Sequence, residues 1–206
     1  MEKVRIAVLV SGGGTNLQAL IDSEKSGVLT SGEIKLVISD NRDAYAIKRA
    51  ENNNIETIVL LRKDFASRED HEIALVGTLI DHHIDLVVLA GFMSILSPYF
   101  IDAFRDRIIN VHPSLIPSFC GKGFYGLKVH EAALNYGVKV TGATVHFVNE
   151  IPDGGRIIIQ KAVDVKEGDT PEILQRRVME EAEWKILPQA CQMVCGKILE
   201  EKTDVE

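Results

Sequence analysis

Through the first half of the chain, short, mainly apolar runs alternate with longer stretches in which apolar residues recur every three or four positions. VRIAVLV (4–10), IKLVIS (34–39), ETIVLL (56–61), DLVVLAG (85–91) and RIIN (107–110) are of the first kind. Mainly apolar runs of this length predict strands covered on both faces. Between them, Leu17, Leu20 and Ile21 share one helical face behind Thr15 and Asn16, which are suited to capping. A second helix is predicted over Asp43–Asn53. A third is predicted over Ser67–Asp81, with Ile73, Val76 and Ile80 as its apolar stripe. Five strands joined by helices predict an α/β fold with a doubly wound, mostly parallel sheet.

The pattern changes after residue 137. VKVTGATVHFVNE alternates apolar with polar, IPDGG (151–155) is turn chemistry, and RIIIQKAVDV continues as strand. This predicts a hairpin that adds antiparallel strands to the sheet edge. A C-terminal helix is predicted from GDTPE, with Pro171 in its first turn and Leu174, Val178, Ala182 and Ile186 as its buried row. No repeat or linker interrupts the pattern, so residues 1–206 read as a single domain.

Charge and cysteine content narrow the function classes. The formal charge of −7 argues against a broad nucleic-acid surface. The longest apolar run, Leu86 to Met93, is far short of the roughly 18 residues of a membrane span, and the N-terminus lacks signal-peptide features. Three cysteines, none in a CxxC, suit a reducing cytoplasm. Cys191 and Cys195, four apart on a helix, read as core packing, and the histidines of DHHID (81–85) suit a helix C-terminus. Nothing here requires a metal.

Two stretches carry candidate chemistry. SGGG (11–14) leaves the first strand and opens the first helix, where an open parallel sheet binds ligands and backbone N–H groups favour a phosphate. It is not a Walker loop, for no Lys precedes Ser or Thr. As a dinucleotide fingerprint its third glycine is replaced by Leu17, although Asp40 at the end of the second strand keeps a nicotinamide cofactor open. IINVHPSLIPS (108–118) places Asn110 and His112 on one side of the chain as it leaves the fifth strand, with Pro113 and Pro117 restricting the backbone. A structural histidine is equally compatible with that place. If IPDGG folds over it, Asp153 would raise the His112 pKa. An imidazolium beside an amide suits a developing oxyanion. Arg68, at the unfavourable end of its helix dipole, reads first as a solvent-exposed side chain of no consequence, with a ligand contact as the alternative.

SGGGTNLQAL, VVLAGFMSILS, INVHPSLIPSF, GVKVTGATVHFV and PDGGRIIIQ follow the order and spacing of the phosphoribosylglycinamide formyltransferases, which the chain resembles over nearly its whole length. The resemblance implies a Rossmann-like formyltransferase fold. It also implies formyl transfer from 10-formyltetrahydrofolate to the amine of 5′-phosphoribosylglycinamide in purine biosynthesis, without a metal. It assigns His112, Asn110 and the His-protonating Asp153 to catalysis, and Gly14, Thr15, Asn16 and Glu183 to the ribonucleotide. Arg68, Met93, Ser94, Ile95, Leu96 and Asn110 fall to the folate. It implies two small-molecule partners, no nucleic acid or membrane, a cytoplasmic location, and a monomer or homodimer.

The chain departs from the family at SFCGKGFYGLKVH (118–130), which is several residues longer than usual. Ser94 stands where many members are basic, Trp184 replaces a histidine, and the last helix is one residue out of step. A 10-formyltetrahydrofolate deformylase would share Asn, His and Asp but carry an additional N-terminal domain. A tRNA formyltransferase would add a C-terminal one, and a non-catalytic nucleotide-binding module would need only the glycine loop.

Overall fold

The computed structural model describes residues 2–204. Its seven strands are β1 (Val4–Val10), β2 (Gly32–Ser39), β3 (Glu56–Val59), β4 (Leu86–Leu89), β5 (Ile108–His112), β6 (Val140–Phe147) and β7 (Ile157–Asp164). They form one sheet in the order β3-β2-β1-β4-β5-β6-β7. The pairings from β3 through β5 are parallel, and β6 and β7 add antiparallel strands at the β5 edge. The doubly wound sheet and its antiparallel extension follow the pattern of the sequence. The chain order reverses between β1 and β4, so the crevice beyond their C-terminal ends is the expected ligand site.

The helices are α1 (Thr15–Lys25), α2 (Tyr45–Glu51), α3 (Arg68–Asp81), α4 (Pro98–Ala103), α5 (Leu127–Tyr136), α6 (Pro171–Val178) and α7 (Trp184–Thr203). One core joins β1, β4, β5 and β6 side chains such as Val8, Val88, Val111 and Val145 to Leu17 and Leu20 of α1 and Leu187 of α7. The other packs Leu9, Leu36 and Val87 against Leu75 and Leu79 of α3 and Phe100 of α4. Because each central strand feeds both cores, apolar residues follow one another along it with few interruptions.

Several local expectations change. On α3 the buried residues are His71, Glu72, Leu75, Val76 and Leu79, while Ile73 and Ile80 are 54% and 57% exposed. The burial of Glu72 has a specific cause: it accepts hydrogen bonds from Ser97 N and Arg68 Nε, at 3.1 and 3.2 Å. The second helix is shorter than expected, Tyr45–Glu51 rather than Asp43–Asn53. Neither Thr15 nor Asn16 caps α1: Gly14 occupies the cap position and no side chain closes it.

Between α6 and α7 lies a π-helical turn, Met179–Glu183. Leu174, Val178, Ala182, Ile186, Ala190, Val194 and Ile198 are all buried, at a strict spacing of four. On an α-helix each step of four drifts about 40° around the axis, and a wider turn brings the row back. Glu183, the last residue of this turn, is buried. Cys191 and Cys195 are buried in the core beside this row. His82 follows α3 with Nδ1 2.7 Å from Thr78 O. That backbone bond, with Glu56 and Asp81 nearby, raises its pKa above the ordinary value. Among the described residues no helix is long and apolar enough to cross a membrane.

Candidate active site

The loop after β1 is held from both sides. Ser11 N donates to Gly91 O, and Ser11 Oγ accepts from Met93 N at 2.9 Å, tying it to the segment after β4. From α2, Ala46 N donates to Gly12 O, and Arg49 Nε donates to Gly13 O at 2.8 Å. Only Gly14 of the three glycines has a positive φ, +70°. A Cβ there would lie 2.5 Å from Ala46 Cβ and 2.7 Å from Ala46 Cα, whereas one on Gly12 or Gly13 would meet nothing within 4 Å. Gly14 is therefore required by the fold, and Gly12 and Gly13 leave open space before the uncapped first turn of α1. The N–H groups of such a turn have no intrahelical partner and favour an anion.

Gly14→Ala is accordingly expected to cost about 2–4 kcal/mol, from a left-handed alanine forced against backbone. Its urea midpoint should fall with the slope unchanged, while Gly12→Ala should leave the midpoint alone. Equal midpoints for the two variants would contradict the packing argument.

Asn16, at the start of α1, reaches into the fold. Its Nδ2 donates to Glu183 Oε2 at 2.6 Å, and its Oδ1 is buried without a partner. Glu183 is 6% exposed, and burial pushes its pKa up to about 7, with the Asn16 hydrogen bond opposing. Gly14, Thr15, Asn16 and Glu183 thus form one group at the C-terminal end of β1. That end is two strands, or about 10 Å, from β5. A cavity of about 590 Å³ beside it is lined by Thr15, Arg49, Trp184 and Lys185 among others.

A second cavity, of about 690 Å³, opens at the ends of β4 and β5 and is lined by Asn110, His112, His146, Asp153 and both Met93–Leu96 and Gly121–Gly126. Antiparallel pairing sets Asn110 opposite His146 and His112 opposite Thr144. His112 is buried; its Nε2 lies 2.9 Å from Phe119 O and its Nδ1 3.6 Å from Asp153 Oδ2. Since a carbonyl only accepts, Nε2 carries the proton and Nδ1 faces the carboxylate. Asp153, at φ +56° in the turn after β6, accepts from Gly121 N at 2.8 Å. The long segment after β5 therefore does more than line a rim: Phe119 O anchors the imidazole and Gly121 N the carboxylate.

The direction of the His112 pKa corrects the expectation from sequence. Asp153 does push it up, as does the Phe119 hydrogen bond, but burial outweighs both and lowers it below the ordinary histidine value.

The other expected ligand contacts divide. Met93 and Ile95 are exposed and Leu96 is buried, all along the cleft. Ser94 Oγ donates to Asp40 Oδ2 at 3.0 Å. Arg68 is not among the residues lining the cleft. It pairs with Glu72 four residues on, and its Nη2 donates to Ile95 O at 2.5 Å. Its cation is thus compensated locally and braces the Met93–Leu96 segment from the rim.

Two histidines escaped the sequence reading. His146 meets Asn110 across the strand pair, with Nε2 3.1 Å from Asn110 Nδ2. Only the β5–β6 register reveals it, since the strands are separated by α5 and no local signal in the sequence links them. His130 of α5 is buried with neither ring nitrogen partnered, and burial, aided by the nearby His112, lowers its pKa to about 4. No local signal marks it. No cluster of metal-ligating side chains occurs among the described residues.

An anion-favouring loop and an amide, imidazole and carboxylate gathered in one cleft on a doubly wound sheet suit group transfer to or from a phosphate-bearing molecule. The chain belongs to the formyl transferase family, whose profile matches residues 4–191. It is 46% identical over 195 residues to the human trifunctional purine biosynthetic protein adenosine-3, covering 95% of this chain and 19% of that one. The chain thus spans 14–19% of the trifunctional relatives' length. It is 41% identical over 184 residues to the phosphoribosylglycinamide formyltransferase of Haemophilus influenzae, covering 89% of this chain and 84% of that one. Among solved structures, glycinamide ribonucleotide transformylase 1 from Symbiobacterium toebii superposes with a TM-score of 0.89 at 42% identity. The match covers 95% of this chain and 89% of that one.

Proposed function

We propose that the chain transfers a formyl group from 10-formyltetrahydrofolate to the amine of 5′-phosphoribosylglycinamide, with residues 1–206 acting as one domain. The observation that carries this reading is the meeting of Asn110, His112 and Asp153 in a cleft two strands from the phosphate-favouring loop. The names of the Haemophilus and Symbiobacterium relatives point the same way. The acidic chain and its three free cysteines support a cytoplasmic enzyme acting on small molecules.

In this reading the ribonucleotide phosphate sits on the Gly12–Asn16 loop and the folate ring in the cleft beside Met93–Leu96. The amine nitrogen attacks the formyl carbon, a C–N bond forms, and the carbonyl electrons move onto oxygen. Asn110 donates a hydrogen bond to that oxygen, a contact that strengthens as charge develops. Neutral His112 takes the amine proton on Nδ1, so an imidazolium appears beside Asp153 as the oxyanion appears. The same proton then moves to the folate nitrogen as the old C–N bond breaks.

The test is formyl transfer from 10-formyltetrahydrofolate with and without the ribonucleotide. Turnover that requires the ribonucleotide, with one formylated amine per folate released, is the expected result. Turnover indifferent to it would make water the acceptor and the protein a deformylase.

A further inference from the structure

We propose that His146 is a positioning residue for Asn110: its bare Nε2 fixes the amide so that nitrogen, not oxygen, is turned toward the β6 side of the cleft. The inference rests on the transfer reading above for its kinetic consequence, but its structural content stands apart from that reading. His146 lies on β6 and is 2% exposed. Its Nδ1 is 2.8 Å from Phe147 O. A carbonyl oxygen has no proton to give, so Nδ1 is the donor and carries the ring proton. Nε2 is then an acceptor, and the polar atom 3.1 Å away, on the cross-strand partner Asn110, is Nδ2. The amide nitrogen donates one of its two hydrogens to His146. The second, fixed in the amide plane, stays free for a ligand oxygen.

Turning the amide over would set Asn110 Oδ1 against the Nε2 lone pair, two acceptors facing each other out of water. A buried polar group left unpaired in this way is disfavoured about tenfold to a hundredfold. The other group facing Nε2 is Asp153 Oδ1, at 3.6 Å, beyond hydrogen-bond range. An ionised carboxylate has no hydrogen to donate, so Asp153 cannot take over the donor role of Asn110. A hydrogen-bond donor aimed at a developing oxyanion helps only if it is already oriented, and among the described residues His146 is the side chain that hydrogen-bonds the Asn110 amide.

Two measurements on the full chain test this. ¹⁵N-histidine NMR of the free protein near pH 7.5, with His146 assigned by the signals lost in His146→Gln, should show Nδ1 protonated and Nε2 bare. An Nε2–H tautomer, or a doubly protonated ring, would overturn the proposal whether or not the protein transfers formyl groups. In the kinetic arm, His146→Ala should lower kcat about tenfold to a hundredfold, with KM for both substrates within about twofold. In an Asn110→Ala background the same change should lower kcat less than about twofold, because His146 acts through that amide. His146→Gln, which restores an acceptor, should recover part of the loss. Equal losses in the two backgrounds would mark a merely structural residue and sink the positioning role. If no variant, wild type included, transfers formyl, the functional reading fails and the tautomer alone decides this one.

Discussion

His112→Ala should lower kcat for formyl transfer by about 10²–10⁴-fold, the range for loss of a positioned general acid–base group. Two tasks fall to one ring: it accepts the amine proton, and its charged form then stands beside Asp153 and the oxyanion. The geometry makes the division between its nitrogens definite. Nε2–H is held by Phe119 O at 2.9 Å, so the proton must come and go at Nδ1, 3.6 Å from the Asp153 carboxylate. A loss below about tenfold would mean that water carries the proton instead.

The same arrangement fixes the sign of the pH dependence. A base works only when deprotonated, so activity falls as pH drops through the His112 pKa. Burial holds that pKa below the ordinary histidine value, with Asp153 opposing. Removing the carboxylate charge in Asp153→Asn takes away the opposition, and the acid limb of kcat/KM should move to still lower pH. Its kcat should fall as well, because the imidazolium formed during the step loses its partner. An acid limb that stayed in place, or moved up, would show that Asp153 does not act on His112 through charge.

What could be read from the sequence was what depends on residues close together in the chain. Strands buried on both faces announce themselves as apolar runs, so β1, β2, β4 and β5 were legible, as was the hairpin after residue 137. Asn110 and His112 stand two apart on one strand, and the turn chemistry of IPDGG pointed to a bend that could bring Asp153 over them. What failed depends on partners distant in sequence. On α3, Ile73-Val76-Ile80 and Leu75-Val76-Leu79 both satisfy helical spacing, and the choice between them is made by α4 and the sheet, which neighbour Leu75 and Leu79. The sign of the His112 pKa depends on how deeply the ring is buried, which no motif records. His146 takes its meaning from the β5–β6 register and from a carbonyl on its own strand.

Glu183 shows the same limit from the other side, since its place in the family pattern said nothing of its protonation. Glu183→Gln should raise stability by about 3 kcal/mol at pH 8 and leave it unchanged near pH 4.5. The carboxyl is buried at the π turn, and its pKa is pushed up to about 7 from an ordinary 4.5. Below pH 4.5 it is protonated folded or unfolded, and no difference arises. Between 4.5 and 7 the folded protein keeps a proton that the unfolded chain has lost, so stability falls as pH rises. Above 7 the full cost of a buried carboxylate is in place. Glutamine carries no charge at any pH, which is why its advantage should appear only on the alkaline side. Urea midpoints of the two proteins at pH 5 and pH 8 decide the matter, and an advantage equal at both would mean that packing rather than ionisation separates them. The ribonucleotide KM of Glu183→Gln carries the argument on to binding. If a ligand hydroxyl draws on the carboxylate, KM rises while kcat holds, and the residue that destabilises the free fold above pH 7 is being kept for its ligand.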